Sequence, residues 1–459
     1  MLSRSSVQLT WNNKGLRERE TNTGFHLLEE VYPHPRYQNN ALFAEEVDLS
    51  EFRKETAGNR LICGDNLDVL NLLLEQGYSH KIDLIYIDPP FLSDSNYNSR
   101  IVLGAGENRR LLDRFAFQDS WEHGLDFYLE QMYERLLLMK ELLSDQGSIF
   151  VHLDWHVSHY VKLLLDEIFN SRNFINEIVW CYGGGSGSRR HFHRKHDLIF
   201  WYACGNKYIF NPQYRPYSEG TLQRGLTRVK GDKYRLHEKG ALMQDWWTDI
   251  NKILSPTARE NLKFPTQKPA ALLKRIISAA SHPGSLVADF YSGSGTTAEV
   301  CEQMGRKWIA CDNSQLAIQT ALNRLAQNEG GLFKIEAGEG KLNQNDEENL
   351  SCHALAVNYN DENVKLYVSI DNYRPPAEYT STVKTGLSWD TLVDFWEIDL
   401  DYDGEIFRSD IQIVRKRSAF NIPLALDIEF IVPQRSLKQI ALKVNDIFGS
   451  YAIKKLELS

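Results

Sequence analysis

Between Leu61 and about residue 330 the chain alternates short apolar runs with helical patterns, and this alternation constrains the fold more than any other feature. The runs LIC (61–63), IDLIYI (82–87), SIFVHL (148–153), LVADFY (286–291) and KWIACD (307–312) have strand length and are bounded by Gly and Asp. The stretches DNLDVLNLLLEQG, FYLEQMYERLLLMKELL, LLKRIISAA, TTAEVCEQM and LAIQTALNRL, each beside one of these runs, carry a helical period. Strand and helix in alternation predict an α/β fold built on a doubly wound sheet.

A chain of 459 residues is long enough for two or three domains. Residues 1–55 show no sustained period and read as an arm; 56–330 form the α/β domain; 331–350, rich in Gly, Asn and Glu, read as a linker. Residues 351–459 alternate in NVKLYVSI, EIFRSDIQIV, LDIEFIV and KQIALKVND, which predicts a β-sandwich domain. The formal net charge of -9 argues on its face against an anionic partner, but it is unevenly spread. Residues 180–263 hold 15 Lys and Arg against 7 Asp and Glu, whereas 331–459 hold 14 against 21. A basic, aromatic-bearing insert is thus masked by an acidic tail. That tail is expected to face solvent or a protein partner rather than phosphates.

Six scattered cysteines without a CxxC pair indicate neither a disulfide framework nor a zinc ribbon. No apolar run approaches the roughly 18 residues of a membrane span, and the first residues lack the apolar segment of a secretory signal, so a cytoplasmic protein with no membrane association is expected.

Two motifs carry chemistry. Asp88-Pro89-Pro90-Phe91 directly follows IDLIYI, at the carboxyl end of a strand, where α/β folds bind ligands. The prolines fix the backbone, so a carboxylate, a peptide carbonyl and an aromatic face are presented together. An exocyclic amine on a nucleobase needs that combination: acceptors on its N–H bonds favour the tetrahedral nitrogen that attacks a methyl cation equivalent, while the ring stacks on the base. The second motif, Asp289-Phe290-Tyr291-Ser292-Gly293-Ser294-Gly295-Thr296-Thr297, joins a strand to a helix, with glycines that let the backbone approach a ligand. Asp312 ends the next strand, where a carboxylate accepts from ribose hydroxyls.

Together these residues resemble the amino-group DNA methyltransferases of the β class, which modify adenine N6 or cytosine N4, and are similar to the modification subunits of type III restriction-modification systems. The resemblance covers about residues 60–325. It implies a Rossmann-like methyltransferase sheet, S-adenosylmethionine as cofactor and double-stranded DNA as substrate. It implies that Asp88, Pro89, Pro90 and Phe91 are catalytic. The cofactor residues are then Asp65, Thr266, Gln267, Lys268, Pro269, Asp289, Phe290, Tyr291, Ser292, Gly293, Gly295, Thr296, Thr297 and Asp312. The chain departs from the family pattern at Phe290-Tyr291, where Pro-Phe is usual, and at Phe91, where Tyr is common. Asp88 favours adenine over cytosine. The tail resembles an immunoglobulin-like sandwich appended to some of these enzymes.

Arg189, Arg190, Arg194, Lys195, Arg215, Arg224, Arg228, Lys230, Lys233 and Arg235, interleaved with aromatics, are the candidate DNA-binding residues. The set His191, His193 and His196 lacks a cysteine or carboxylate complement, so no metal is assigned. Asp399, Asp401, Asp403 and Asp410 match a calcium loop in spacing, but their flanks alternate like strands. The expected function is a site-specific DNA adenine-N6 methyltransferase acting on a flipped-out base, as a homodimer, in a restriction-modification or related defence system with an endonuclease or other subunit as partner. Cytosine N4 methylation is the second reading, and a catalytically silent DNA-binding subunit of the same fold is the third.

Overall fold

The structure, a computed structural model, describes residues 8–11, 14–15, 24–33, 58–93, 95–103, 110–119, 124–185, 187, 189–225, 236–255, 258, 260–328, 330–380, 388–415 and 424–458. In chain order the strands of the first half are β1 (Phe25–Val31), β2 (Asn59–Cys63), β3 (Ile82–Ile87), the hairpin β4 (Ser95–Leu103) and β5 (Arg110–Asp119), β6 (Leu143–Leu153), β7 (Phe174–Cys181), β8 (His196–Ala203), the short pair β9 (Tyr214–Arg215) and β10 (Ala241–Leu242), and β11 (Trp246–Trp247). The second half holds β12 (Leu286–Asp289), β13 (Lys307–Asp312), β14 (Phe333–Gly338), β15 (Leu350–Asn358), β16 (Asn363–Tyr373), β17 (Val393–Asp399), β18 (Phe407–Ser409), β19 (Ile411–Val414), β20 (Asp427–Pro433), β21 (Ile440–Asp446) and β22 (Tyr451–Leu456). The α-helices are α1 (Asn66–Glu75), α2 (Gly124–Leu142), α3 (Ser158–Leu165), α4 (Glu219–Gly225), α5 (Ala270–Ala280), α6 (Thr296–Gln303), α7 (Gln315–Ala326) and the one-turn α8 (Ala377–Thr380).

Eleven strands form one sheet in the order β11-β7-β8-β6-β3-β12-β13-β2-β14-β1-β18. Neighbours from β6 through β14 run parallel, whereas β8 is antiparallel to both β6 and β7. Both faces are covered, as a parallel sheet requires. In β3, Leu84 and Tyr86 join the cluster that holds α5, α6 and α7, while Ile85 and Ile87 join the cluster that holds α1, α2 and α3. The strand's period of two sorts its side chains between these helical layers. Two helix starts are set by side-chain caps: the Asp65 carboxylate accepts from Leu67 N at 2.8 Å at α1, and Ser314 caps α7.

The last hundred residues form two antiparallel sheets, β15-β16-β20 and β19-β17-β21-β22, around a core with Trp396, Leu366, Val432 and Leu442. This is an all-β sandwich on an α/β body.

Two boundaries differ from the sequence reading. The supposed arm contains β1, which pairs antiparallel with β14 and parallel with β18 and so joins the α/β sheet to the C-terminal part. The supposed linker contains β14, which pairs with β2 along its length. At this seam Lys443 pairs with Glu29 and lies 3.3 Å from Glu397, all three buried. Burial and the neighbouring Glu397 hold the Glu29 carboxyl well above its ordinary range. The calcium-like aspartates Asp399, Asp401 and Asp403 lie at the end of β17 and in its connection to β18, and Asp410 follows β18; their carboxylates bond to the chain itself. Asp399 accepts from Asp401 N and Arg408 N, and Asp403 from Glu405 N and Ile406 N.

Candidate active site

The strand order reverses between β3 and β12: from β3 the chain crosses by α2 to β6 on one side, and from β12 it crosses by α6 to β13 on the other. Ligands of open α/β sheets bind outside the carboxyl ends of strands at such a switch point. A cavity of about 820 Å³ opens there, of the size of small-molecule and cofactor sites.

At one end stands Asp88. Pro89 and Pro90 have no N–H to extend β3, and the chain leaves the sheet through Leu92, whose φ of +58° lies in the left-handed region. Asp119, at the end of the β4–β5 hairpin, holds that turn. Its carboxylate accepts from Phe91 N at 3.2 Å, Leu92 N at 2.9 Å and Ser93 N at 3.0 Å, and from the Ser93 hydroxyl at 2.6 Å. One Asp88 oxygen, Oδ2, pairs with Lys268 Nζ. The other, Oδ1, is buried and has no hydrogen-bond partner among the described residues. An unsatisfied buried carboxylate oxygen is costly, and a ligand N–H offsets that cost. The Phe91 ring lines the same space, with Lys268 Nζ 5.5 Å from its centroid.

Behind Asp88 lies a buried polar chain. His152 is fully buried, with Nδ1 4.0 Å from Asp88 Oδ1 and 2.9 Å from the Tyr86 hydroxyl, and Nε2 3.2 Å from Asp197 Oδ2. Tyr182 donates its hydroxyl to Asp197 Oδ1 at 2.9 Å. Burial opposes ionisation of Asp197, but its bonds to His152 and Tyr182 and the nearby Lys268 outweigh burial and hold the carboxyl below its ordinary value. Burial, with the charge of Asp88, pushes the Tyr86 phenol well up.

The other end is a backbone cradle. Gly293 (φ +49°) and Gly295 (φ +73°) turn the chain from β12 into α6. A methyl group on Gly295 would meet Ala321 Cβ at 2.6 Å, so the turn can pack only with glycine. Asp312 accepts from Gly293 N and Ser314 N, each at 2.9 Å, and burial raises its pKa against those bonds. Asp289 accepts from Tyr291 N at 3.0 Å and Thr297 Oγ1 at 2.5 Å. Burial, added to by the charges of Asp88 and Asp312, lifts its carboxyl to about 7.

Of the residues expected at the site, Asp65, Asp88, Pro89, Pro90, Phe91, Thr266, Gln267, Lys268, Asp289, Phe290, Tyr291, Ser292, Gly293, Thr296, Thr297 and Asp312 line the cavity. Gly295 and Pro269 do not: each is the N-cap of its helix. Asp65 also pairs with Arg135 at 2.7 Å, and Gln267 folds its own loop by bonding to Glu260 O and Leu262 N. Phe290 is buried in the core, leaving its carbonyl to accept from Asn66 at 2.9 Å.

Among the basic residues, Arg189, Arg190 and Arg194 are exposed on the β7–β8 loop, with Arg194 stacked 3.9 Å over Trp155. Lys195 and Arg215 are engaged internally, Lys195 with Gly184 O and Arg215 with Gln244. Arg228, Lys230, Lys233 and Arg235 lie outside the described residues, as does the side chain of Arg224. Sequence reasoning missed His152, Tyr86 and Asp119. A histidine inside the apolar run SIFVHL was the available signal for the first; Asp119 had none.

A carboxylate followed by two prolines at the switch point, with a glycine cradle at the neighbouring strand and an acid one strand further on, defines an α/β site for a nucleoside-bearing cofactor beside a second ligand. The family model described as DNA methylase, of the N6/N4 type, matches residues 82–323, more than half of the chain, and the chain belongs to that family. The type II methyltransferase M.EcaI of Enterobacter cloacae is 29% identical over 341 residues, 60% of this chain and 72% of that protein. The Mod subunit of the type III restriction-modification enzyme StyLTI of Salmonella typhimurium is 26% identical over 324 residues, 52% of this chain and 49% of the subunit. The DNA adenine methyltransferase YhdJ of Escherichia coli is 26% identical over 58% of this chain and 82% of its own length. Among solved structures, the M1.HpyAVI–SAM complex is 21% identical with a TM-score of 0.39, covering 58% of this chain and 98% of its own.

Proposed function

We propose that the protein methylates adenine N6 in DNA, on a base swung out of the duplex, with S-adenosylmethionine as methyl donor. The observation that carries this reading is the buried Oδ1 of Asp88, without a hydrogen bond among the described residues, in a cavity that the Gly293–Asp312 cradle also lines. The residues present suit that cofactor. Asp312 would accept from ribose hydroxyls, the backbone around Gly293 would admit a close approach, and Asp289 with its polar neighbours would lie toward the amino-acid portion. Bound there, the cofactor supplies an electrophilic methyl carbon.

The chain's own groups do the rest. Asp88 Oδ1 accepts one N–H of the amino group, which localises the nitrogen lone pair for attack, and Phe91 covers the ring. After transfer the nitrogen carries an extra proton, and Asp88 is the nearest base to receive it. Lys268 balances the carboxylate charge before the base enters. Alignment and electrostatics account for the rate, since no covalent enzyme intermediate is formed. The exposed Arg189, Arg190 and Arg194 face phosphates. The names of the relatives favour a restriction-modification or related defence setting with another subunit as partner; action as a homodimer is a further part of the proposal.

The test is expression in a methylation-deficient host followed by base-resolved mapping of modified DNA. N6-methyladenine at a defined site is expected. N4-methylcytosine calls, or no calls from a chain that binds cofactor, would replace this reading with one of the other two.

A further inference from the structure

The C-terminal sandwich lies outside the residues that match the family model, yet it reaches the cavity. Tyr379 and Phe448 both line it, stacked with ring centroids 4.5 Å apart and planes 4° from parallel. Phe448 packs beside a small cluster of Ile101, Leu103, Leu112, Leu392 and Ile447, which joins the β4–β5 hairpin to the sandwich.

The turn that carries Phe448 is fixed from both sides. From the α/β body, Arg114 Nη1 donates to Ile447 O at 2.6 Å, the Gln319 amide donates to Asp446 O, and Gly449 packs so closely on α7 that a methyl group there would sit 3.3 Å from Gln315 Cβ. From within the sandwich, Asp446 accepts from Phe448 N at 2.9 Å, Ser450 N at 3.0 Å and the Tyr373 hydroxyl at 2.9 Å. Gln315 and Leu316 open α7 just beyond Asp312 and line the same cavity. The turn is therefore docked on the Asp312 end, two strand spacings, or roughly 10 Å, from Asp88.

At that end the loop after β13 contributes polar groups, Asn313, Ser314 and Gln315, and apolar surface comes from Leu316 and from Phe264, whose ring lies beside Gly293. A purine needs a flat apolar face as well as polar acceptors. We propose that the C-terminal sandwich forms the outer wall of the nucleoside end of the S-adenosylmethionine site, with Tyr379 and Phe448 as the aromatic surface against the adenosine. This rests on the cavity being the cofactor site. The sandwich is then part of the methyltransferase site rather than an appended module.

The full chain, titrated calorimetrically with S-adenosylhomocysteine, tests this without methyl transfer. Tyr379→Ala and Phe448→Leu are each expected to raise the dissociation constant roughly tenfold, about 1.4 kcal/mol. Phe448→Leu keeps apolar packing in the Ile447 cluster while removing the ring, and the thermal transition of each variant reports folding. Should it unfold, Tyr379→Ala decides alone, because Tyr379 belongs to none of the hydrophobic clusters. Folded variants that bind as tightly as the parent overturn the wall. A parent chain that binds no S-adenosylhomocysteine overturns instead the cofactor reading beneath it.

Discussion

The two ends of the cavity are built on different principles. The Asp88 end is a set of charged and polar side chains, Asp88, Lys268, His152, Asp197 and Tyr86, that satisfy one another except at one oxygen. The Asp312 end is a backbone turn, held by two glycines and a carboxylate and, on our reading, covered by aromatics from a remote part of the chain. A side-chain network changes its charge during a reaction, whereas a backbone cradle holds a ligand and stays as it is. Substitutions at the first end should therefore alter turnover with cofactor affinity preserved, and those at the second should alter affinity or stability first.

The largest effect is expected at Asp88. Asp88→Ala removes the acceptor for the amino group and should lower methyl incorporation into DNA by roughly 10³-fold while calorimetry shows cofactor binding retained. Substantial incorporation by that variant would end the assignment of Asp88 as catalytic.

Gly295→Ala comes next. A left-handed φ and a 2.6 Å approach to Ala321 Cβ leave no room for a methyl group, and destabilisation of roughly 2–4 kcal/mol should appear as a lowered thermal transition with weaker cofactor binding. An unchanged transition temperature would mean that the turn relaxes freely.

His152→Gln should be milder. Loss of one charged hydrogen bond to Asp197 amounts to roughly a tenfold drop in turnover. Equal loss of cofactor affinity would blur the contrast between the two ends.

The smallest effect concerns Asp289, whose carboxyl is raised from an ordinary value of roughly 4 to about 7, mainly by burial. The folded chain binds more protons than the unfolded one between those values. Stability contributed by this group is thus full below about pH 4 and is lost as the pH rises through 7. Asp289→Asn should flatten that part of the pH dependence of the thermal transition; an unaltered slope would place the source elsewhere.

How much of this could be read from the sequence follows the same division. Asp88, Gly293 and Asp312 were legible because each sits at the end of an apolar strand, a local pattern of a few residues. The strand alternation likewise gave the doubly wound sheet. β14 was not legible: FKIEAG is short and flanked by glycines, so its alternation resembled a linker until β1 and β2 paired with it on either side. β1 failed for a similar reason, with no neighbouring pattern to support seven residues. Asp119 and the Phe448 turn were invisible because their roles arise from contacts between distant positions, such as the bond from Arg114 to Ile447 O across 333 residues. No local period encodes such a pairing.

The position of β1 between β14 and β18 has a consequence for how such a chain can be recombined. A single hydrogen-bonded ribbon runs from the methyltransferase strands through residues 25–31 into the sandwich, locked by the Glu29–Lys443–Glu397 cluster. A chimera that exchanged only the last hundred residues would strand Glu29 beside a foreign surface. The interchangeable unit is discontinuous, an N-terminal strand travelling with a C-terminal sandwich.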